Sequence, residues 1–119
     1  MATGTVTLFD KIVAKEIPAA VIYEDDQCLA FKDISPQAPV HFLVVPKHRG
    51  VLSQLQHATS NEHALLGHLL WAAGHVAGLQ GLHHGGYRVV VNDGKAAGQT
   101  VFHLHLHVLG GRDLAWPPG

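Results

Sequence analysis

The sequence has little of the features that define several protein classes. Its 119 residues include one cysteine, Cys28, so no internal disulfide can form. No run approaches the roughly 18 apolar residues of a membrane-spanning helix, and the N-terminal segment "MATGTVTLFDKIVAKE" lacks the apolar core of a secretion signal. We therefore expect an intracellular protein, cytoplasmic or, in a eukaryote, also nuclear, that does not bind membranes.

Charge is sparse and evenly divided between the two signs. Lysine and arginine number 8, aspartate and glutamate number 9, and no window gathers the basic residues into a stripe. Nucleic-acid-binding proteins typically carry such a stripe to neutralise phosphates, so we do not expect a nucleic acid as partner. Because the sequence shows no internal repeat, low-complexity tract or linker-like segment, we expect one domain spanning residues 1–119.

The first half of the sequence predicts a short helix followed by three strands. In "LFDKIVAKEIP", apolar residues at helical spacing predict an amphipathic helix that is stopped by Pro18. The segments "AVIYE" and "CLAFKD" are rich in β-prone residues, and the acidic pair Asp25 and Asp26 between them predicts a hairpin. The run "HFLVVP" predicts a third strand, which is entered through the turn-forming segment "SPQAP".

The second half predicts one main helix and two further strands. Thr59 and Glu62 form a capping-box pattern, and the apolar face after them predicts a helix that extends to Gly81. The segments "YRVVVN" and "VFHLHLHVL" predict the last two strands, joined by the loop "DGKAAGQ". This order predicts an α+β fold: a five-stranded, mostly antiparallel sheet with one main helix and a short N-terminal helix.

The segment "FHLHLHVL", residues 102–109, places a histidine at every second position. Successive side chains of a strand point to opposite faces, so His103, His105 and His107 are expected on one face. The apolar residues between them are expected to pack on the other face; they are Phe102, Leu104, Leu106 and Val108. The histidine face is therefore a candidate functional surface.

Three interpretations of this face compete: a zinc site, a solvated surface and a catalytic site. Along a strand, the Cα atoms of His103 and His107 would lie roughly 13 Å apart, too far for all three rings to bind one zinc ion. A neighbouring pair would need a third ligand such as His41, so we expect no metal. An ordinary solvated face favours threonine, lysine and glutamate rather than three histidines.

The catalytic interpretation makes the most specific use of the three imidazoles. A neutral imidazole near pH 7 is a good nucleophile, and its neighbours can act as acid, phosphate partner or orienting partner. The nearby segment "NDGKAAGQT" supplies amide and hydroxyl donors for phosphate oxygens. A site that handles phosphate is therefore the sharper hypothesis.

Three stretches of the sequence resemble the histidine triad (HIT) superfamily. They are "FKDISPQAPVHFLVVPKH", "GYRVVVNDG" and "GQTVFHLHLHVLGGR", and the ending "WPPG" is similar to the histidine triad nucleotide-binding (Hint) branch. The resemblance runs nearly the whole chain, from about Phe9 to Gly119. It implies a single domain with the HIT-like fold, with residues 1–6 disordered and residues 112–119 forming a tail that reaches toward a dimer partner's site.

The resemblance also implies an activity, hydrolysis of the P–N bond of adenosine or guanosine 5'-phosphoramidates. By similarity, His105 is the nucleophile that forms a nucleotidyl-histidine intermediate. His107 contacts the phosphate and helps to protonate the leaving amine, which is otherwise a very poor leaving group. His103 and His41 support these two residues through hydrogen bonds, and no cofactor is implied.

Further residues match nucleotide-binding positions of the family. Asp33 matches the acid that binds the ribose. A carboxylate suits this role because it can accept hydrogen bonds from two adjacent hydroxyls. The purine slot is matched by Phe9, Ile12, Ile17, Phe31, Ile34 and Leu43, and phosphate contacts are matched by Asn92, Gln99 and Thr100. The Hint branch is expected to carry serine at Thr100, and threonine keeps its hydroxyl. Trp116, in the tail, is expected on the leaving-group side.

The expected partners are a purine nucleotide substrate with an AMP or GMP moiety and a second copy of the chain in a homodimer. Two alternatives remain open. A dinucleoside polyphosphate hydrolase would use the same histidines on a P–O–P bond, although the short chain and the "WPPG" ending count against it. A nucleotide-binding regulatory or scaffold protein would bind other proteins, although the intact set of four histidines favours retained chemistry.

Overall fold

The computed structural model describes residues 5–119, which form two α-helices and a five-stranded sheet. The elements in chain order are α1 (Leu8–Val13), β1 (Val21–Glu24), β2 (Cys28–Lys32), β3 (Val40–Pro46), α2 (His63–Leu79), β4 (Tyr87–Val90) and β5 (Leu106–Gly110). The predicted α+β fold is confirmed. The predicted disorder of residues 1–6 falls largely outside the described residues and stays a prediction.

Every neighbouring pair of strands in the sheet is antiparallel. The strand order is β1-β2-β3-β5-β4, so β5 is inserted between β3 and β4 and lies beside the centre of the sheet. In the β3–β5 ladder, His41 lies opposite Leu109 and Leu43 lies opposite His107. His41 and His107 are therefore diagonal neighbours on one face, a separation that long side chains can bridge.

The two faces of the sheet bury different parts of the chain. Helix α2 covers one face, where the core includes Phe42, Val44, Leu69, Val76, Leu106 and Val108. Helix α1 covers part of the other face, where Phe9 and Ile12 pack with Leu29, Phe31, Leu43 and Val45. Because side chains alternate along a strand, His41 and His107 face the α1 side.

Helix α1 ends earlier than the sequence predicts. It begins with a capping box, in which the Thr7 hydroxyl accepts from the Asp10 amide and the Asp10 carboxylate accepts from the Thr7 amide. The helix then ends at Val13, and Lys15 adopts a left-handed backbone with φ of 65°. The amide of Glu16 donates back to the Lys11 carbonyl at 2.9 Å. A turn centred on Lys15, not Pro18, therefore ends the helix.

The main helix begins as the capping box predicts. The Thr59 hydroxyl and the Glu62 carboxylate form the reciprocal pair, but the first turn, Ser60–Glu62, is a 3-10 helix and α2 starts at His63. The helix ends before Gly81, whose φ of 80° is easily adopted by glycine. Within residues 5–119, no helix is long and apolar enough to cross a membrane.

The last strand is shorter than predicted at its N-terminal end. Its first ladder pair joins Leu106 to Val44, and the amide of Leu104 donates instead to the Leu52 carbonyl at 2.8 Å. Residues 101–105 therefore lie outside the sheet. The prediction that one strand carries all three histidines is wrong for His103 and His105, because the loop around Leu52 takes the hydrogen bond that a strand partner would have taken.

Two leucines in this loop provide a matched test of the core. Leu52 is fully buried in the α2-side core, whereas Leu55, three residues later, is 40% exposed. We expect Leu52→Ala to lower the free energy of unfolding by about 2–5 kcal/mol, because it removes apolar contacts and leaves a cavity. Leu55→Ala should cost less than about 1 kcal/mol. Urea unfolding of both variants measures the difference, and equal losses would contradict this description of the core.

Candidate active site

A cavity of about 320 Å³ lies between α1 and the histidine-bearing face of the sheet. Its wall is apolar on one side and polar on the other. The apolar side is formed by Leu8, Phe9, Ile12, Pro18, Ala19, Phe31, Ile34, Leu43 and Val101. The polar side is formed by Lys32, Asp33, Asn92, Thr100, His105 and His107, with Gly98 at the loop. A cavity of this composition suits a ligand with a flat apolar part and a charged part.

His105 has one defined ring tautomer at the polar side of the cavity. Its Nδ1 lies 2.7 Å from the carbonyl oxygen of His103, and a carbonyl can only accept, so Nδ1 carries the proton. The remaining ring nitrogen, Nε2, therefore has a free lone pair. Burial lowers the pKa of His105, which keeps the ring neutral and its lone pair available near pH 7.

The tautomers of His41 and His107 follow from a second chain of hydrogen bonds. The backbone amide of Gln37 donates to Nδ1 of His41 at 3.0 Å, so the proton of His41 is on Nε2. His41 Nε2 donates it to Nδ1 of His107 at 2.9 Å, which leaves the proton of His107 on its own Nε2. His107 therefore presents a donor, whereas His105 presents a lone pair.

The electrostatics of this pair favour the neutral forms. Burial, followed by the neighbouring His105 and His41, lowers the pKa of His107 to about 4, against an opposing effect of Asp33. Burial also lowers the pKa of His41, although Asp33 Oδ2 lies 3.4 Å from its Nε2. Both rings are therefore uncharged at neutral pH in the absence of an anionic ligand.

His103 is fully buried and does not line the cavity. Its Nε2 donates to the Pro46 carbonyl at 3.0 Å, and its Nδ1 accepts from the Thr7 hydroxyl at 3.0 Å. The ring of Phe9 touches both His103 and His105 edge to face, with centroids 5.8 and 4.9 Å away. The rings of His103 and His105 thus share a contact with Phe9, but of the three histidines only His107 belongs to a strand.

Most of the residues predicted to bind a nucleotide are brought together at the cavity. Those that line it are Phe9, Ile12, Phe31, Asp33, Ile34, Leu43, Asn92 and Thr100. Asp33 also has the turn role that its sequence context suggests, because its Oδ1 accepts from the Ser35 amide at 2.8 Å. Its Oδ2 remains on the side of His41.

Besides His41 and His103, which were predicted as supporting residues, three predicted site residues do not line the cavity. Ile17 packs against the apolar cluster beneath it. The Gln99 side chain is buried, donates to the carbonyls of Ser53 and Val101 and accepts from the Gly94 amide. Gln99 therefore braces the loop that carries Gly98 and Thr100, and its amide is occupied by backbone groups. Trp116 is 80% exposed and lies under the Arg88 guanidinium, outside the cavity of its own chain.

Several residues of the site carry no recognisable signal in the sequence. Leu8, Lys32 and Val101 line the cavity, but each is an ordinary element residue in the sequence. The Thr7 hydroxyl contacts His103, which is 96 residues away in the sequence, and the Gln37 backbone amide contacts His41, which is 4 residues away. No local sequence signal marks these contacts, because they depend on how the chain folds.

The comparisons with known proteins agree on one family. The HIT domain matches residues 14–114. A HIT-like protein of Synechocystis sp. is 59% identical over 113 residues, which cover 95% of this chain and 96% of that protein. A 14 kDa zinc-binding protein of Zea mays is 52% identical over 113 residues, covering 95% and 88%. The structure of a HIT family hydrolase from Legionella pneumophila is 45% identical, with a TM-score of 0.92, covering 96% of this chain and 100% of the other.

The name of the Zea mays relative makes zinc worth testing against this chain's own residues. Asp33, His41 and His107 place possible ligand atoms within 4.8 Å of one another. However, the proton that His41 Nε2 donates to His107 occupies the space between the two nitrogens. As hydrogen-bonded here, this group does not fit a zinc ion.

A second group of possible ligands, Asp25, Cys28 and His68, lies on the α2 side of the sheet. The Asp25 carboxylate already accepts from Tyr23, His68 and the amides of Gln27 and Cys28. Burial, followed by the charge of Asp25, raises the pKa of Cys28 to about 12, so the thiol stays protonated. This group therefore fits a hydrogen-bonded junction between hairpin and helix better than a metal site.

The pKa of His107 predicts how stability depends on pH. The folded value of about 4 lies below the ordinary value of 6.5, so between these values the unfolded chain binds more protons. The free energy of unfolding should fall as the pH is lowered through this window, and His107 should contribute nothing to the slope above 6.5. Urea unfolding at several pH values should show a shallower fall in His107→Gln than in the wild type. Equal slopes would mean that His107 titrates normally.

Proposed function

We propose that this chain, which belongs to the HIT family, is a hydrolase of the Hint branch that cleaves the P–N bond of adenosine or guanosine 5'-phosphoramidates. The observation that carries the proposal is the tautomer of His105. A neutral imidazole with its lone pair on Nε2 lies at the polar side of a cavity whose opposite side is apolar. A nucleotide has the same division between an apolar base and a charged phosphate.

The first chemical step uses the difference between His105 and His107. The lone pair of His105 Nε2 forms a bond to the α-phosphorus as the P–N bond breaks, which gives a nucleotidyl-histidine intermediate. With the anionic phosphate bound, His107 takes up a proton from solvent, and its Nε2 gives a proton to the leaving nitrogen as the P–N bond breaks, which leaves His107 neutral with a lone pair on Nε2. The carbonyl of His103 remains bonded to Nδ1 of His105 and stabilises the positive charge that develops on that ring.

The second step reverses the roles of the two groups. A water molecule attacks the phosphorus, the bond from phosphorus to His105 Nε2 breaks, and the lost water proton leaves through His107 Nε2 to solvent. The products of the two steps are a nucleoside monophosphate and an amine, and one water is consumed. Because His41 holds the tautomer of His107, it acts as a positioning residue in both steps.

The remaining lining residues suit the nucleotide. The purine would pack between Phe9, Ile12 and Leu43, and Asp33 would accept from the ribose hydroxyls. Asn92 and Thr100 lie on the polar side, where their side chains can donate to phosphate oxygens. Gln99 would act on the phosphate only through the loop backbone that it holds.

The test of the proposed function is replacement of His105. His105→Ala should reduce turnover of adenosine phosphoramidate to below about 1% of wild type, because it removes the nucleophile, while AMP affinity changes little. His84→Ala, a loss of an exposed histidine away from the cavity, is the matched control and should keep wild-type turnover. Mass spectrometry of acid-quenched wild type should find a nucleotide adduct on His105. Substantial turnover in His105→Ala would overturn the proposal.

We also propose that the protein works as a homodimer whose tail contributes to the partner's site. The outer strand β4 and the exposed apolar residues Leu70, Trp71 and Leu79 of α2 form surfaces that a second copy would cover. The tail is held on its own subunit by the Arg88 guanidinium, which donates to the Ala115 carbonyl at 2.9 Å. Trp116 is thereby presented outward.

Deletion of residues 114–119 tests the role of the tail. The truncated protein should remain a dimer, because the strand edge and helix face are intact, and should keep its affinity for AMP. Its relative rates on phosphoramidates with a bulky and a small amine should change, because Trp116 is lost from the leaving-group side. Sedimentation and paired rate measurements decide the matter. An unchanged rate ratio would show that the tail does not select the leaving group. A monomeric truncated protein would show that the tail, and not only the strand edge and helix face, forms the dimer interface.

A further inference from the structure

Arg49 is a buried cation behind the active site. Its side chain is 6% exposed, and its Nη2 donates to Asp10 Oδ2 at 2.9 Å and to the Thr5 carbonyl at 2.6 Å. A buried charge is costly unless it is paired, so this arrangement needs the Asp10 carboxylate. Nothing in the proposed chemistry uses Arg49 directly, because it does not line the cavity.

The partner of Arg49 lies against His103. Asp10 Oδ1 is 3.3 Å from Nδ1 of His103, the nitrogen that accepts from the Thr7 hydroxyl. Asp10 and Thr7 also form the capping box of α1, so one carboxylate joins the helix start, the arginine and the histidine. Burial opposes ionisation of Asp10, but the Thr7 amide and Arg49 outweigh it and lower its pKa. Asp10 is therefore an anion beside His103.

His103 in turn holds the nucleophile. Its carbonyl accepts the Nδ1 proton of His105, and its own ring is fixed between Pro46 and Thr7. Phe9, on the helix that Thr7 and Asp10 cap, packs against the His105 ring. Any change in the charge or position of His103 is thus passed to His105 by the carbonyl and by the adjacent ring.

We propose that Arg49 is a positioning residue for the nucleophile. Its positive charge offsets the negative charge of the Asp10 carboxylate beside His103. His103 therefore stays neutral and keeps the hydrogen bonds that it makes to Pro46 and Thr7. This inference rests on the proposed role of His105. The charged and titratable groups that face His103 are Asp10 from α1, Arg49 from the loop after β3, and His105. Burial is the main cause that lowers the pKa of His103, while Asp10 raises it and Arg49 lowers it.

Charge balance predicts different effects for replacement of Arg49 and replacement of Asp10. In Arg49→Met the Asp10 carboxylate is left without its cation, so His103 should become protonated at a higher pH. A positive ring beside His105 weakens the nucleophile, so the acid limb of kcat should move up by about one pH unit, which is a tenfold loss at a pH on that limb. In Asp10→Asn the remaining guanidinium opposes protonation, so the acid limb should stay in place or move down.

Two further variants separate charge balance from simple loss of a structural contact. The double variant Asp10→Asn/Arg49→Met removes both charges and should restore the wild-type acid limb, although it lacks the ion pair. Arg49→Lys keeps the charge and should also keep the wild-type limb. The proposal is overturned if Arg49→Met and Asp10→Asn move the acid limb of kcat in the same direction. It is also overturned if both variants lower kcat without moving the acid limb and the double variant has a still lower kcat.

A measurement without substrate distinguishes this proposal from the proposed function. Nitrogen-15 NMR of the His103 ring in the ligand-free proteins reports its protonation directly. We expect a neutral ring in the wild type, Asp10→Asn and the double variant at a pH at which the ring is already protonated in Arg49→Met. If Arg49→Met does not fold, Asp10→Asn and Arg49→Lys still decide the outcome, since a protonated ring in either contradicts charge balance. Failure of the wild type to hydrolyse phosphoramidates would overturn the proposed function alone.

Discussion

The pairing of β3 with β5 is the constraint on which the site depends. Its register places Leu43 opposite His107 and brings His41 to the diagonal position on the same face. Shifting the register by one residue would turn His107 toward α2 and bring Val108, now in the core, to the cavity side. The alternation of apolar residues along the two strands therefore determines which side chains form the core. It also determines which histidines lie within hydrogen-bonding distance of one another.

Backbone carbonyls and amides set the tautomers of three of the four histidines, and the side chain of His41 sets that of His107. Each ring has two nitrogens, and the partner of one decides whether the other offers a proton or a lone pair. For His105 the partner is the carbonyl of His103, for His103 it is that of Pro46, and for His41 it is the Gln37 amide. Burial then keeps the rings neutral, so these tautomers persist at neutral pH.

Support for the cavity comes from residues that do not contact its contents. Gln99 ties its loop to the Ser53 and Val101 carbonyls, and the capping box of α1 fixes the helix that carries Phe9. Gln99 and the capping box already use nearly all of their hydrogen-bonding groups. They therefore fix the positions of the loop and the helix but have few groups left to bind a ligand. Residues of this kind are easily mistaken for ligand contacts when only the sequence is known.

The sequence by itself determined the order of the elements, the capping box at Thr59, the sides to which His41 and His107 point, and the composition of most of the cavity. The first three features follow from residue type and from periodicity within a few residues, whereas most of the cavity residues were expected from the resemblance to the HIT superfamily. The tertiary structure alone decided the tautomers, the inward turn of Gln99, the early end of α1 and the exit of His103 and His105 from the sheet. The His103 carbonyl and the Gln37 amide lie only 2 and 4 residues from the rings that they bind, but the fold directs them to those rings. The other contacts join residues that are 66 apart for His41 and His107, 57 for His103 and Pro46, and 96 for His103 and Thr7. Hydrogen bonds over such separations depend on the packing of the whole chain, and no local pattern encodes them.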